Sequence, residues 1–175
     1  EDVTDQVNTR GLALEFLLEV EKGALSHVAL RGMLERYQYL DKQERAFLTR
    51  LCEGTLERRL ELDAIINQFS KTKVKKMKPV IAAILRSGVY QLKYMDSVPD
   101  SAACNEAVKL TVKRGFGGLK GFVNGVMRTI ARNMDQIRYP DAEKEPVRYL
   151  SVKYSIPEWL VQRFTEQYGA EACER

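Results

Sequence analysis

The sequence predicts an all-α fold, a helical bundle followed by a short helical extension, on three observations. Apolar residues recur at three- and four-residue steps, most densely at Ile81, Ile84, Leu85, Gly88 and Leu92, where Val80, Val89 and Tyr90 widen the apolar surface. Helix punctuation sits at the ends of such stretches: Gly23 as a stop, Asp41 with Glu44 as a capping box, Pro79 as a first-turn proline. No alternating βαβ pattern accompanies them. A helix apolar on as much of its girth as the Val80–Leu92 stretch belongs at the centre of the bundle.

Taken in order, Glu1 to Gln6 are polar and lack an initiating methionine, which predicts a trimmed and disordered start. A first helix carries Ala13, Phe16, Leu17 and Val20 inward and Glu15, Glu19 and Lys22 outward. Ser26 is the expected N-cap of a second, with Leu30, Met33, Leu34 and Tyr37 on its core face. His27, beside that cap, reads as a surface or capping residue rather than a catalyst. The Asp41 box opens a third helix through Phe47, Leu48, Leu51 and Cys52, and the pattern continues past Gly54-Thr55 into Leu56, Leu60, Ile65, Ile66 and Phe69. An interior glycine costs about 1 kcal/mol relative to alanine, so Gly54 predicts a close helix approach or a bend.

A connector follows with Lys71, Lys73, Lys75, Lys76 and Lys78 and no acid among them. After Pro79 and the central helix, Asp96 to Pro99 make the next connection, and Cys104, Ala107, Val108 and Thr111 continue the core face. Gly115 to Gly121 (GFGGLKG) predicts a helix stop and a tight loop. A Walker-type phosphate cradle would need a preceding strand and Gly-Lys-Ser/Thr, and neither is there. Beyond it Phe122, Val123, Val126, Met127 and Ile130 face inward, while Asn124, Arg128 and Arg132 repeat every four residues on another side. Residues 134–146, acidic and interrupted by Pro140, read as a linker. Helical pattern returns with Val147, Leu150 and Tyr154, then after Ser155-Ile156-Pro157-Glu158, a second capping box with an early proline, in the stripe Trp159, Leu160 and Phe164, stopped by Gly169.

Polar residues set into the three central helices need partners if buried. Arg86, Asn105, Glu106 and Asn124 are expected to form a structural polar core, with Arg86 paired to Glu106 and the asparagines tying helix ends together.

Composition bounds the function. Cys52, Cys104 and Cys173 form neither a CxxC nor an even disulfide set, and His27 is the only histidine, so no metal site is expected and a reduced, cytoplasmic setting follows. No apolar run approaches the roughly 20 residues of a membrane span, and no partner membrane is expected. The net charge of +4 is unevenly spread: residues 1–63 sum to −4, residues 64–133 to +10 and residues 134–175 to −2. A middle segment so basic between acidic ends points to a polyanion. Expected RNA-binding residues are Lys71, Lys73, Lys75, Lys76 and Lys78 with Lys109, Lys113, Arg114, Lys120, Arg128 and Arg132. Phe116 is the only ring in the glycine loop, which favours phosphate contacts over base stacking. The same charges are also compatible with a solvated surface and a protein-interaction scaffold.

Ile84-Leu85-Arg86, Tyr90, Val98-Pro99, Asn105-Glu106-Ala107-Val108 and Phe122-Val123-Asn124-Gly125-Val126 resemble the NusB family of all-helical RNA-binding domains, over roughly Arg10 to Arg132. Gly54-Thr55-Leu56 to Asp63 fits the same resemblance. The family occurs as free-standing antitermination factors, which meet RNA together with a ribosomal protein, and as the front domain of rRNA cytosine-C5 methyltransferases of the RsmB (Sun/Fmu) type. The tail YLSVKYSIPEWLVQRFTEQYG resembles the segment that leads towards the methyltransferase domain in the second group. The resemblance therefore implies a NusB-like domain over 1–133, a linker over 134–146, and over 147–175 the start of the helical region before a catalytic domain outside this segment. It implies ribosomal RNA and that downstream domain as partners. S-adenosylmethionine is expected in the downstream domain and no cofactor in this segment, which carries no GxGxxG and no Pro-Cys dipeptide.

Overall fold

The computed structural model describes residues 8–168. The expectations for Glu1–Gln6, Gly169 and Cys173 lie outside them. Within the described residues the order is α1 (Thr9–Glu21), α2 (Ser26–Arg36), α3 (Lys42–Glu57), α4 (Arg59–Phe69), α5 (Pro79–Tyr94), α6 (Asp100–Lys113), α7 (Lys120–Arg132), α8 (Pro146–Tyr154) and α9 (Glu158–Tyr168), with short 3₁₀ turns at Val74–Lys76, Gly117–Leu119 and Met134–Gln136. No strand occurs among them, and no helix there is long and apolar enough to cross a membrane.

α5 is the central helix: ten of its sixteen residues are buried, and it packs on α1, α3, α4, α6 and α7. Its Pro79 occupies the first turn, where a missing N–H leaves no bond unmade. The approach of α3 is set by a glycine. A Cβ built on Gly54 would lie 2.1 Å from the rigid Tyr90 ring, so α3 reaches α5 at a distance that glycine permits without moving the ring; one on Gly88 would lie 2.6 Å from the Met127 methyl, which the flexible methionine can yield. Asp41 caps α3 as expected: its carboxylate accepts from the Glu44 N–H at 2.8 Å, and the Glu44 carboxylate accepts from the Asp41 N–H at 3.2 Å.

Two local expectations need correction, and of the two readings of Gly54 the close approach holds. Ser26 is already helical; the cap position is Leu25, with no side-chain cap bond. The long α3 pattern breaks at Arg58 (φ −97°, ψ 14°) rather than at Gly54, so the glycine serves close packing and the turn falls one helical turn later. Ser155 does not cap α9. It ends α8 in the left-handed region (φ 54°), and its Oγ accepts instead from the Leu60 N–H of α4 at 3.0 Å.

The segment after α7 is pinned along α4. Gln68 donates to the Arg138 carbonyl at 2.7 Å and accepts from the Arg138 N–H at 2.9 Å. Arg58 donates to the Lys153 carbonyl at 3.2 Å, and α8 packs on α4. The most deeply placed group in this joint is Glu61, only 2 % exposed, whose carboxylate accepts from the hydroxyls of Tyr94 in α5 and of Tyr139, the latter at 3.0 Å. Burial, together with the Glu61 charge and hydrogen bonds, pushes both phenols above their ordinary value.

Candidate nucleic-acid interface

The lysine connector is built rather than loose. Val74 is buried and its N–H donates to Asn67 Oδ1 at 2.8 Å, while Ser70 Oγ closes a small turn by accepting from the Thr72 N–H and donating to the Thr72 carbonyl. With Val74 turned inward, Lys71, Lys73, Lys75, Lys76 and Lys78 are all exposed. Lys73 donates to the Asn67 carbonyl at 3.0 Å, and Lys78 lies 5.7 Å from the centre of the Phe116 ring. This last contact joins the connector to the glycine loop.

That loop begins with a Schellman stop. Gly115 takes φ +84°, its N–H donates to the Val112 carbonyl, and the Phe116 N–H donates to the Thr111 carbonyl. The chain turns through Gly117–Leu119 straight into α7, so the glycine run joins two helices and lacks the strand exit that an S-adenosylmethionine or dinucleotide cradle uses. Lys113 and Lys120, on either side, are exposed and have no carboxylate partner among the described residues. Neither α5 nor α7 has an acid in its first turn or a side-chain cap, so the positive ends of two helix dipoles stand unopposed beside these lysines. The arrangement can hold phosphate groups by the charge of Lys78, Lys113 and Lys120.

Other expected contacts lie elsewhere. Arg114 is half-buried and sits 3.9 Å from Glu15 of α1. Lys109 is paired to Glu106 one turn earlier at 3.4 Å. Arg128, about 12 Å along α7 from Lys120 by helix rise, donates to Asn105 at 2.8 Å and to Asn124 at 3.2 Å, tying α6 to α7. Arg132 is exposed a turn further on. The eleven basic residues therefore do not form one patch: Lys78, Lys113 and Lys120 stand around Phe116, Lys73 and Lys75 line a groove along α4, Arg114 faces α1, and Lys109, Arg128 and Arg132 lie on the α6–α7 flank.

The polar core is corrected as well. Arg86 does not pair with Glu106; its guanidinium donates to both carboxylate oxygens of Asp63 of α4, at 2.6 and 3.0 Å, with the two side chains 12 % and 22 % exposed. Glu106 faces the α6 surface, and Asn105 is exposed. The rotation of α5 turns Arg86 towards α4, so Asn105 and Asn124 serve Arg128 at mid-helix instead of tying helix ends.

Several polar residues in this framework carried little sequence signal. Arg10 donates to Gln91 at 2.7 Å and lies 5.2 Å from the Phe47 ring centre; burial lowers its pKa, with Glu106 opposing. Its position beside the first apolar stripe was the sole hint. Burial pushes the Cys52 thiol up to about 12, Glu53 adding to the rise, and Cys104 also upward, so neither is poised as a nucleophile. Among the described residues no group of three or more His, Cys, Asp or Glu could hold a metal ion.

A family model for the NusB family matches residues 7–132. A probable ribosomal RNA small subunit methyltransferase B of Bacillus subtilis is 38% identical over 171 residues, covering 97% of this chain and 37% of that protein. The transcription antitermination protein NusB of Agathobacter rectalis is 38% identical over 90 residues, covering 51% of this chain and 69% of that protein. Among solved structures, antitermination factors NusB and NusE in complex with dsRNA give a TM-score of 0.64 at 22% identity, over 71% of this chain and 93% of the matched one. The chain thus spans little more than a third of the methyltransferase it resembles along nearly all its length, and by the family match over residues 7–132 it belongs to the NusB family.

Proposed function

We propose that this chain is the RNA-recognition and domain-docking N-terminal segment of an S-adenosylmethionine-dependent methyltransferase acting on carbon 5 of a cytosine in small-subunit rRNA. The observation that carries this is the extension: the Bacillus subtilis relative matches 97% of the chain, which takes in α8 and α9, whereas the antitermination protein matches 51%. α9 fits the docking part of the role. Val161 is buried while Trp159, Phe164 and Tyr168 are 64 %, 45 % and 61 % exposed, Phe164 and Tyr168 in contact one turn apart at 5.4 Å between ring centres, apolar groups suited to cover by a downstream domain. The basic bundle end around Lys78, Lys113, Phe116 and Lys120 fits the RNA part. On this proposal residues 1–133 are the RNA-binding domain and 134–146 join it to the helical lead-in of the catalytic domain.

The test is binding of structured small-subunit rRNA fragments by fluorescence anisotropy across a salt series. Lys113→Gln/Lys120→Gln should weaken binding and flatten the slope of log K against log[salt] by about 0.7–0.9 per lost contact. Unchanged affinity and slope in a folded variant would remove the bundle end from the interface. A second reading, a free-standing antitermination factor, is favoured by the 38% identity to the Agathobacter rectalis protein. Sequencing the gene beyond Arg175 separates the two: a methyltransferase domain supports the proposal and a nearby stop codon refutes it.

A further inference from the structure

Two grooves flank α4 and share Asp63, Asn67 and Lys73 in their walls. One lies towards the start of α5 and adds Arg59, Lys75 and Arg86; the other lies towards the segment after α7 and adds Arg138 and Arg148. Three carboxylates line them, and each is already taken: Glu21 by Arg59 at 3.2 Å, Asp63 by Arg86 at 2.6 Å, Glu145 by Arg148 at 3.5 Å. Lys73, Lys75 and Arg138 are exposed and, among the described residues, have no carboxylate in ion-pairing range. The Lys73 bond to the Asn67 carbonyl uses one of three ammonium donors and holds the group at the groove. Arg138 is fixed by its backbone bonds to Gln68, so its guanidinium is presented to solvent from an anchored position.

We propose that Lys73, Lys75 and Arg138 form a second RNA-backbone contact site on the α4 face, one that the extension helps to build. The inference rests on the RNA-binding role proposed above and adds a site to it. Arg138 lies beyond the residues 7–132 matched by the family model, so the site belongs to chains that carry the extension. Cations spaced along a polar concave face, with Leu60 the one large exposed apolar side chain at its edge, suit phosphates better than a protein partner, which would call for aromatic or aliphatic anchors.

The experiment is a salt series with the full 175-residue chain and a structured small-subunit rRNA fragment. Arg138→Gln should lower the slope magnitude by about 0.7–0.9, Lys73→Gln/Lys75→Gln/Arg138→Gln by about 2.1–2.7, and Arg138→Lys should keep the wild-type slope. Melting temperatures should be unchanged in Arg138→Gln, because the backbone makes the structural bonds. If the triple variant keeps affinity and slope while Lys113→Gln/Lys120→Gln loses them, this site is refuted and the bundle end stands. If the triple variant binds RNA normally but loses binding to poly-glutamate, the face takes an acidic protein and the inference is likewise overturned. Failure of the wild-type chain to bind RNA would overturn the proposed RNA-binding role and this site with it.

Discussion

Gly54→Ala gives the sharpest test of how α3 meets α5. A Cβ at residue 54 would fall 2.1 Å from both Cζ and Oη of Tyr90, so the ring must retreat by roughly 1.3 Å to reach an ordinary contact of 3.4 Å. It has little room: Tyr90 is 7 % exposed and stacked on Tyr94 at 5.2 Å between centres. Overpacking of this kind costs about 1–3 kcal/mol, and the gain in helix propensity returns about 1 kcal/mol, so a clash near the top of the range leaves a net loss of about 2 kcal/mol. For a chain of this size the melting temperature should fall by about 4–8 °C. The decisive measurement is the same substitution in a Tyr90→Ala background, by thermal or urea unfolding. There the clash is gone, the propensity gain remains, and Gly54→Ala should become neutral or stabilising by up to about 1 kcal/mol. An equal loss in both backgrounds would refute the close approach as the reason for the glycine.

Two further substitutions test the polar framework. Asp63→Ala leaves the Arg86 guanidinium nearly buried without its partner; full burial would cost about 3–5 kcal/mol, and the partial exposure of the pair brings the expectation to about 2 kcal/mol, whereas Glu106→Gln should cost under about 1 kcal/mol because Lys109 is solvated. The reverse ranking in chemical denaturation would restore Glu106 as the partner. Tyr139→Phe removes one hydrogen bond to a buried carboxylate and should cost about 1.5–3 kcal/mol while speeding proteolysis between α7 and α8; wild-type cleavage rates would show that Glu61 does not hold this segment. Alkaline pH probes the same joint together with the buried Cys52 of α3. Tyr94, Tyr139 and Cys52 hold their protons to higher pH folded than unfolded, so their contribution is complete below the unfolded values and is lost as pH rises past about 8.5 for the thiol and about 10 for the phenols. Melting temperature should fall through that window, less steeply in Tyr139→Phe, and a flat profile to pH 11 would contradict it.

What was legible in the sequence was whatever depends on spacing along one helix. The three- and four-residue recurrence around Ile84, the Asp41 box, Pro79 and the interior Gly54 each follow from local geometry, and each has the expected place. Pairings between helices were less accessible. Arg86 had acids available on two neighbouring helices, and the choice of Asp63 over Glu106 depends on how α5 is rotated, a quantity with no one-dimensional trace. Glu61 reads as an ordinary first-turn acid, because its partners Tyr94 and Tyr139 lie thirty-three and seventy-eight residues away. Charge was legible as a sum over residues 64–133 but not as a surface: Arg128 is occupied with Asn105 and Asn124, while Arg138, outside the basic segment, stands beside Lys73.

These contacts converge on α4. One of its sides carries Asp63 to the central helix, and its first turn carries Glu61 to Tyr94 and Tyr139 and the Leu60 N–H to Ser155. Arg58, at the break before it, reaches the last turn of α8. An extension held at so many points cannot swing about a single hinge without breaking a buried carboxylate's hydrogen bonds, each worth about 1.5–3 kcal/mol. The orientation of α8 is thereby fixed to the bundle that presents Lys78, Lys113 and Lys120. On the proposed function this has a mechanical consequence: RNA held at the bundle end stands at a set distance from the domain that follows α9, and register between binding and chemistry comes from this joint. Loosening it with Tyr139→Phe should then lower methyl transfer by the full-length enzyme by a larger factor than it lowers RNA affinity, which changes only through neighbouring Arg138; equal transfer rates with a demonstrably loosened joint would show that register is set elsewhere.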